Sequence, residues 1–242
     1  MTLSLVVLSM LAAGPKVHTL TGLDKPKKEQ RGTLGNSELA EGKVTIHCRD
    51  MGAMVIVEVN DPGIKGARDV WVEKKAGDAM PPCDESDRGR THLSAAEGFG
   101  NVAGAKGDFV FVTSSDGFGD RMALRVFQLS SGNQLFETEL STQQPITLTV
   151  EGKALWLRFH RAVPLTCEPH GETAAQCWKE LRESARVPEE LEVNPPPCDA
   201  IFKGKPSHLS GTPLVALPAE IDLTAPKSLR FRAGAATCAE SP

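Results

Sequence analysis

Tyrosine is absent from the chain, and aromatic residues together make up only 5% of it. A core with so few rings must rely on Val, Leu, Ile and Ala, and the surface lacks the tyrosines that enrich protein-binding patches. No Cys-x-x-Cys pair occurs, which removes the thioredoxin-type redox motif and the zinc ribbon. Neither a Gly-x-Ser-x-Gly elbow nor a His-Glu-x-x-His pair occurs. The hydrolase nucleophile turn and the commonest zinc-protease helix are therefore unsupported. The glycine-rich stretch Gly98–Asp108 lacks a Gly-Lys-Ser/Thr ending, so nothing sets an ammonium against phosphates, and it reads as a connection. A concentrated basic field is missing too. The net charge is −4 and the sequence pI is near 5.9, which argues against nucleic acid as a general partner. The one basic cluster, Lys25 to Arg31, is short and interrupted by Pro26; it reads as a solvated linker. No Asn-x-Ser/Thr glycosylation acceptor is present.

What is present fits an exported, stapled globular chain. The 242 residues are 40% hydrophobic and 24% charged, ordinary values that permit a sizeable core. Leu3 to Ala13 form an uncharged apolar run of 11 residues, followed by Gly14. The run is too short to span a bilayer but has the length of a signal-peptide core. A signal peptide is expected over 1–14, a flexible polar arm over 15–40, and one disulfide-stabilised domain over 41–242.

Six cysteines, Cys48, Cys83, Cys167, Cys177, Cys198 and Cys238, suit three disulfides in an oxidising compartment. Cys177 falls on the inner stripe of a helix, and Cys198 follows an extended Pro run that can return along it. A Cys177–Cys198 bridge is therefore expected, with Cys48–Cys83 and Cys167–Cys238 as the remaining pairs. Cys167, His170 and Cys177 could supply three zinc ligands, but no fourth is evident nearby.

Alternating apolar and polar residues predict strands at 43–48, 53–59 and 69–74, then a long ordered loop over 76–107 held by Cys83. Strand-like segments continue through residue 161, separated by Asp116–Asp120, Ser130–Asn133 and Glu151–Lys153. The stretch Phe111–Glu137 resembles one blade of a β-propeller in its strand–Asp-Gly–strand–Ser-Gly–strand rhythm, over about residues 108–161. That resemblance implies a partial propeller as an alternative fold. Thr173 to Arg186 predict an amphipathic helix, with Thr173 and Gln176 at capping-box spacing and Ala174, Cys177, Trp178, Leu181 and Ala185 on one stripe. Pro188 ends it. Overall the pattern is mainly β: an antiparallel meander forming a β-sandwich or barrel-like domain with one helix at about 173–186.

Three short strings recur in the same order: EGK at 41–43 and 151–153, PPCD at 81–84 and 196–199, HLS at 92–94 and 208–210. Two related halves, 41–115 and 147–240, are one explanation. On that reading Asp84, His92, Asp199 and His208 could converge on a metal or acid–base site. Asp116 and Asp120 form a second, weaker cation candidate, because calcium needs six to eight oxygens and the loop offers two carboxylates. The chain is thus expected to be periplasmic or extracellular. Its expected role is a non-enzymatic binding, accessory or structural module facing a protein or glycan of the cell envelope. It needs no cofactor, nucleic acid, or membrane span once the signal is removed. An exported hydrolase with a site built from separated loops and a calcium-dependent module are the alternatives.

Overall fold

The computed structural model describes residues 19–86, 89–93, 100–115, 121–169, 171–202, 213–226 and 229–240. The strands β1 (Leu20–Thr21), β2 (Lys28–Asn36), β3 (Lys43–Asp50), β4 (Met54–Asn60), β5 (Ala67–Lys74) and β6 (Arg90–His92) come first. They are followed by β7 (Asn101–Lys106), β8 (Phe109–Ser115), β9 (Arg121–Gln128), β10 (Gln134–Ser141), β11 (Ile146–Glu151) and β12 (Ala154–Pro164). A 3-10 turn at Gly171–Thr173 opens the helix α1 (Ala174–Ala185). Then come β13 (Val193–Asn194), α2 (Asp199–Phe202), β14 (Pro213–Asp222), β15 (Arg230–Phe231), β16 (Gly234–Ala235) and β17 (Thr237–Glu240).

Two sheets result. β2 to β6 form a five-stranded antiparallel meander in chain order. The larger sheet runs β1-β11-β12-β10-β9-β8-β7, with β14 laid along the second edge of β12. It curls into a nearly closed barrel. The two ends of the path meet where the chain leaves β1: the Asp24 N–H donates to the Ala105 carbonyl at 2.8 Å. The Asp24 carboxylate accepts from Lys106 Nζ at 2.6 Å and the Gly107 N–H at 2.8 Å. Burial raises the Asp24 pKa, but the Lys106 hydrogen bond, the Gly107 amide and the Lys106 charge outweigh it and hold the group ionised below its ordinary range. Gly22 permits the same closure. It has φ +87°, and a Cβ there would lie 2.4 Å from the Leu148 carbonyl oxygen, so only glycine lets β1 approach β11 this closely.

The apolar pattern follows from the layering. Val110 and Val112 face the five-stranded sheet and meet Ile56, Val70 and Val72 there. Phe111 points the other way, into the barrel with Leu124, Leu140, Leu157 and Ile221. A strand buried on both faces carries a continuous apolar run rather than an alternating one, which explains FVFV at 109–112. β4 is also covered twice. Val55, Val57 and Val59 pack under Trp71, Met80 and the Cys48–Cys83 bridge, and Ile56 faces the barrel. Each such side chain stabilises the fold by about 1.5–3 kcal/mol.

Several expectations are corrected. Within the arm expected over 15–40, the described residues 19–40 include β1, which lies in the barrel, and β2, which edges the second sheet. β2 is mostly exposed, so it has no apolar stripe, and its backbone pairing with β3 holds it. The loop expected over 76–107 contains β6 and β7. The blade-like segment does not form a propeller blade: β8, β9 and β10 are adjacent, but β10 then meets β12 rather than β11 and the sheet closes on itself. α1 occupies the expected residues, with Cys177 and Leu181 buried, but Thr173 makes no side-chain cap; its hydroxyl donates to the Glu168 carbonyl instead. The helix stops at Arg186, which adopts the left-handed conformation and donates its N–H to the last turn. The element order between the recurring strings also differs. Three strands separate the first EGK from the first PPCD, whereas β12, α1 and β13 separate the second pair.

The disulfides join Cys48 to Cys83, Cys167 to Cys177 and Cys198 to Cys238, leaving no free thiol. The first is the expected pair; the other two exchange partners relative to expectation. The 3-10 turn folds 167–177 back on itself, which brings those two cysteines together over a separation of 10 residues. β13 pairs in parallel with β16. The chain therefore runs beside the C-terminal segment, carrying Cys198 to Cys238. The expected neighbourhood of Cys177 and Cys198 is nevertheless real, because both lie in one apolar cluster.

Candidate binding site

The helical end of the barrel holds a cavity of about 310 Å³. α1 supplies Ala174, Ala175, Trp178 and Leu181; the ends of β12 and β14 supply Leu165 and Val215; Pro195 and Pro196 form the facing wall. The helical period explains the first set, since residues 174, 177, 178 and 181 share one face. The prolines explain the facing wall. They have no N–H to give a ladder, so 195–197 joins no sheet and presents rings, while the Pro196 and Pro197 carbonyls accept from the Cys198 and Ala200 N–H groups at the start of α2. Pro169, Cys177 and Cys198 complete the lining, and the two bridges fasten α1 to Cys167 and the proline segment to β17. The wall is predominantly apolar, as small-molecule and side-chain pockets are. It is also large: a 150 Å³ apolar cavity holds benzene.

A second concavity, of about 620 Å³, lies across β2, β3 and β4 and is polar. The buried Glu58 carboxylate accepts from Arg49 at 2.8 Å and from the Val102 N–H at 3.2 Å. Arg49 also donates to the Val102 carbonyl and to His47 Nδ1. A guanidinium cannot accept, so Nδ1 is the acceptor and Nε2 carries the proton, which it donates to Glu29 at 3.2 Å. Burial first, then the Arg49 charge, keeps the His47 pKa below its ordinary value, against a smaller opposing pull from Glu29. Both imidazole nitrogens and both oxygens of Glu58 are therefore engaged. The imidazole has no lone pair left for general-base work, and the network acts as a clamp between the five-stranded sheet and β7.

Among the described residues, the metal candidates Asp84, His92 and Asp199 do not gather. Asp84 accepts from the Ser86 N–H at 2.9 Å and lies 3.5 Å from Arg90. His92 sits 3.4 Å from Asp69 and against the Trp71 ring. Asp199 accepts from the Gly171 N–H at 3.1 Å, at the opposite, helical end of the fold. His208, Asp116 and Asp120 lie outside the described residues. Among the described residues no group of three or more His, Cys, Asp or Glu is placed to hold a metal. Cys167 and Cys177 of the zinc candidate are bonded to each other.

Sequence reasoning missed the clamp and the cavity. Glu58 carried a signal, as a lone charge inside an apolar strand. The cavity carried a fainter one, a triple proline ending in a cysteine. Among the described residues, no helix is long and apolar enough to cross a membrane. No protein-family model, curated protein or solved structure matches the chain.

Proposed function

We propose that the protein is an exported, disulfide-stabilised binding module that works by taking an uncharged apolar group into the cavity beneath α1, without catalysing a reaction. The cavity carries this reading: its wall is predominantly apolar and is fastened by two of the three disulfides. Pairing of all six cysteines suits a compartment outside the reducing cytosol, and the apolar run at 3–13 suits a cleaved export signal. A preformed pocket braced in this way binds without first ordering its walls, which removes one cost of association.

The test uses a neutral fluorescent probe, N-phenyl-1-naphthylamine, with the oxidised full chain. Emission should rise saturably with wild type and fail to rise with Ala174→Phe, whose ring occupies the cavity. Ala175→Phe serves as a second filling variant should the first fold poorly. Equal enhancement by wild type and both folded variants would remove the cavity as the binding site.

A further inference from the structure

The chain segment that supplies most of the cavity wall is acidic. Between Leu165 and Asp199 the sequence holds eight Asp and Glu against three Lys and Arg, a local balance of −5 in a chain whose total is −4. Four of the acids flank lining residues along the chain. Glu168 adjoins Pro169, Glu172 lies two residues before Ala174, Glu192 three before Pro195, and Asp199 follows Cys198; all four are exposed. Two of the three local cations are engaged, and the third, Arg186, is exposed at the far end of α1. Arg182 donates to the carbonyls of Pro188, Glu189 and Leu191, which folds the chain after α1 back toward the proline wall. Lys179 lies 3.9 Å from Glu183. Among the described residues, Glu168, Glu172 and Glu192 have no basic partner.

Building on the cavity reading above, we infer that this end of the barrel docks a cationic polypeptide segment carrying one large apolar side chain. The side chain enters between Trp178 and the Pro195–Pro196 wall, and flanking Lys or Arg residues meet the acidic rim. Each part supplies what the other lacks. An apolar pocket alone selects little among partners, because one methylene is worth only about 1–3 kcal/mol. A ring of one charge steers oppositely charged partners and rejects like-charged ones. The cavity has room for one large side chain, so one anchor dominates, as buried aromatic anchors do at protein interfaces.

The experiment measures anisotropy of fluorescein-labelled Lys-Lys-Phe-Lys-Lys, Glu-Glu-Phe-Glu-Glu and Lys-Lys-Ala-Lys-Lys with the oxidised full chain, beside the naphthylamine titration. The first peptide should bind at least about tenfold more tightly than either other. Its affinity should fall in raised salt, because exposed charges are screened within about 10 Å at 0.1 M. It should also fall in Glu172→Lys/Glu192→Lys, which leaves the cavity wall intact, and vanish in Ala174→Phe. Naphthylamine binding should survive the charge reversal. Naphthylamine binding without preference among the peptides would overturn the cationic-partner inference and leave the cavity reading standing. Failure of both probes would overturn both. Peptide binding unaffected by Ala174→Phe or Ala175→Phe would place the contact elsewhere and overturn the inference.

Discussion

Arg49 on β3 reaches Glu58 on β4 at 2.8 Å, and both side chains continue to the same residue of the other sheet: Arg49 to the Val102 carbonyl, Glu58 to the Val102 N–H. One ion pair thus satisfies an edge position of the barrel that would otherwise present unpaired backbone groups to the second sheet. Removing one partner leaves a buried charge and an orphaned backbone group. Glu58→Ala should therefore cost about 3–5 kcal/mol of stability in urea denaturation. The paired change Arg49→Met/Glu58→Leu should recover part of that loss. A single-mutant cost below about 1 kcal/mol would show the clamp to be dispensable.

Two histidines set an acid limit. His160 is held below its ordinary pKa by burial, against the raising effect of the Ala235 carbonyl, and its Nδ1 is buried without a hydrogen-bond partner. His47 is shifted the same way. Each folded value lies below the free value of about 6.5, so the unfolded chain binds more protons in the window between them. Their contribution is fully present above about pH 6.5 and is lost as pH falls toward the folded values. Melting temperature should decline on acidification from about pH 7.5 to 5.5, before the carboxylates titrate. His47→Gln/His160→Gln should flatten that decline. An unchanged slope in the double variant would assign the acid sensitivity to other groups.

Closure of the barrel depends on a residue without a side chain. Gly22→Ala would set a Cβ against the Leu148 carbonyl at a positive φ, with an expected loss of about 1–3 kcal/mol. The same change at Gly77, where φ is +98° but nothing lies within 4 Å, separates the steric part from the backbone part. Equal losses at both sites would mean that close approach of β1 contributes nothing.

The bridges differ in the chain length they close. Cys198–Cys238 spans 40 residues and Cys167–Cys177 spans 10. The chain-entropy model assigns them about 4 and about 3 kcal/mol. Cys198→Ala/Cys238→Ala should therefore unfold at lower urea than Cys167→Ala/Cys177→Ala, and should also weaken naphthylamine binding by freeing the proline wall. Non-reducing peptide mapping of the exported protein should return these pairs and an N-terminus near residue 15. Retention of Met1 in that protein would contradict the export signal.

Local chemistry made much of this fold legible. β3, β4 and β5 announce themselves by alternation or by β-branched runs, α1 by its stripe and Pro188, and the β11–β12 hairpin by Gly152. Long-range pairing was less legible. β2 has no apolar period because most of it is exposed and Leu34 alone packs against the core, and β1 is two residues long, so only their partners reveal them. Cys198 could be placed near the helix but not assigned to Cys238, since that contact depends on β13 lying beside β16, far away in sequence. The recurring PPCD strings share a local need, a proline-led approach to a bridged cysteine, without sharing an element order. The cavity wall combines three separate segments, and no spacing rule within one of them announces it.

The most direct measurement is a two-dimensional amide NMR titration of the oxidised full chain with N-phenyl-1-naphthylamine. Binding beneath α1 should shift the amides of Ala175, Cys177, Trp178, Leu181 and Val215 together and saturably, with the β2–β5 amides unmoved. Saturable shifts centred on the Arg31–His47–Asn101 cleft, or no saturable shift at all, would contradict the assignment of the cavity as the binding site.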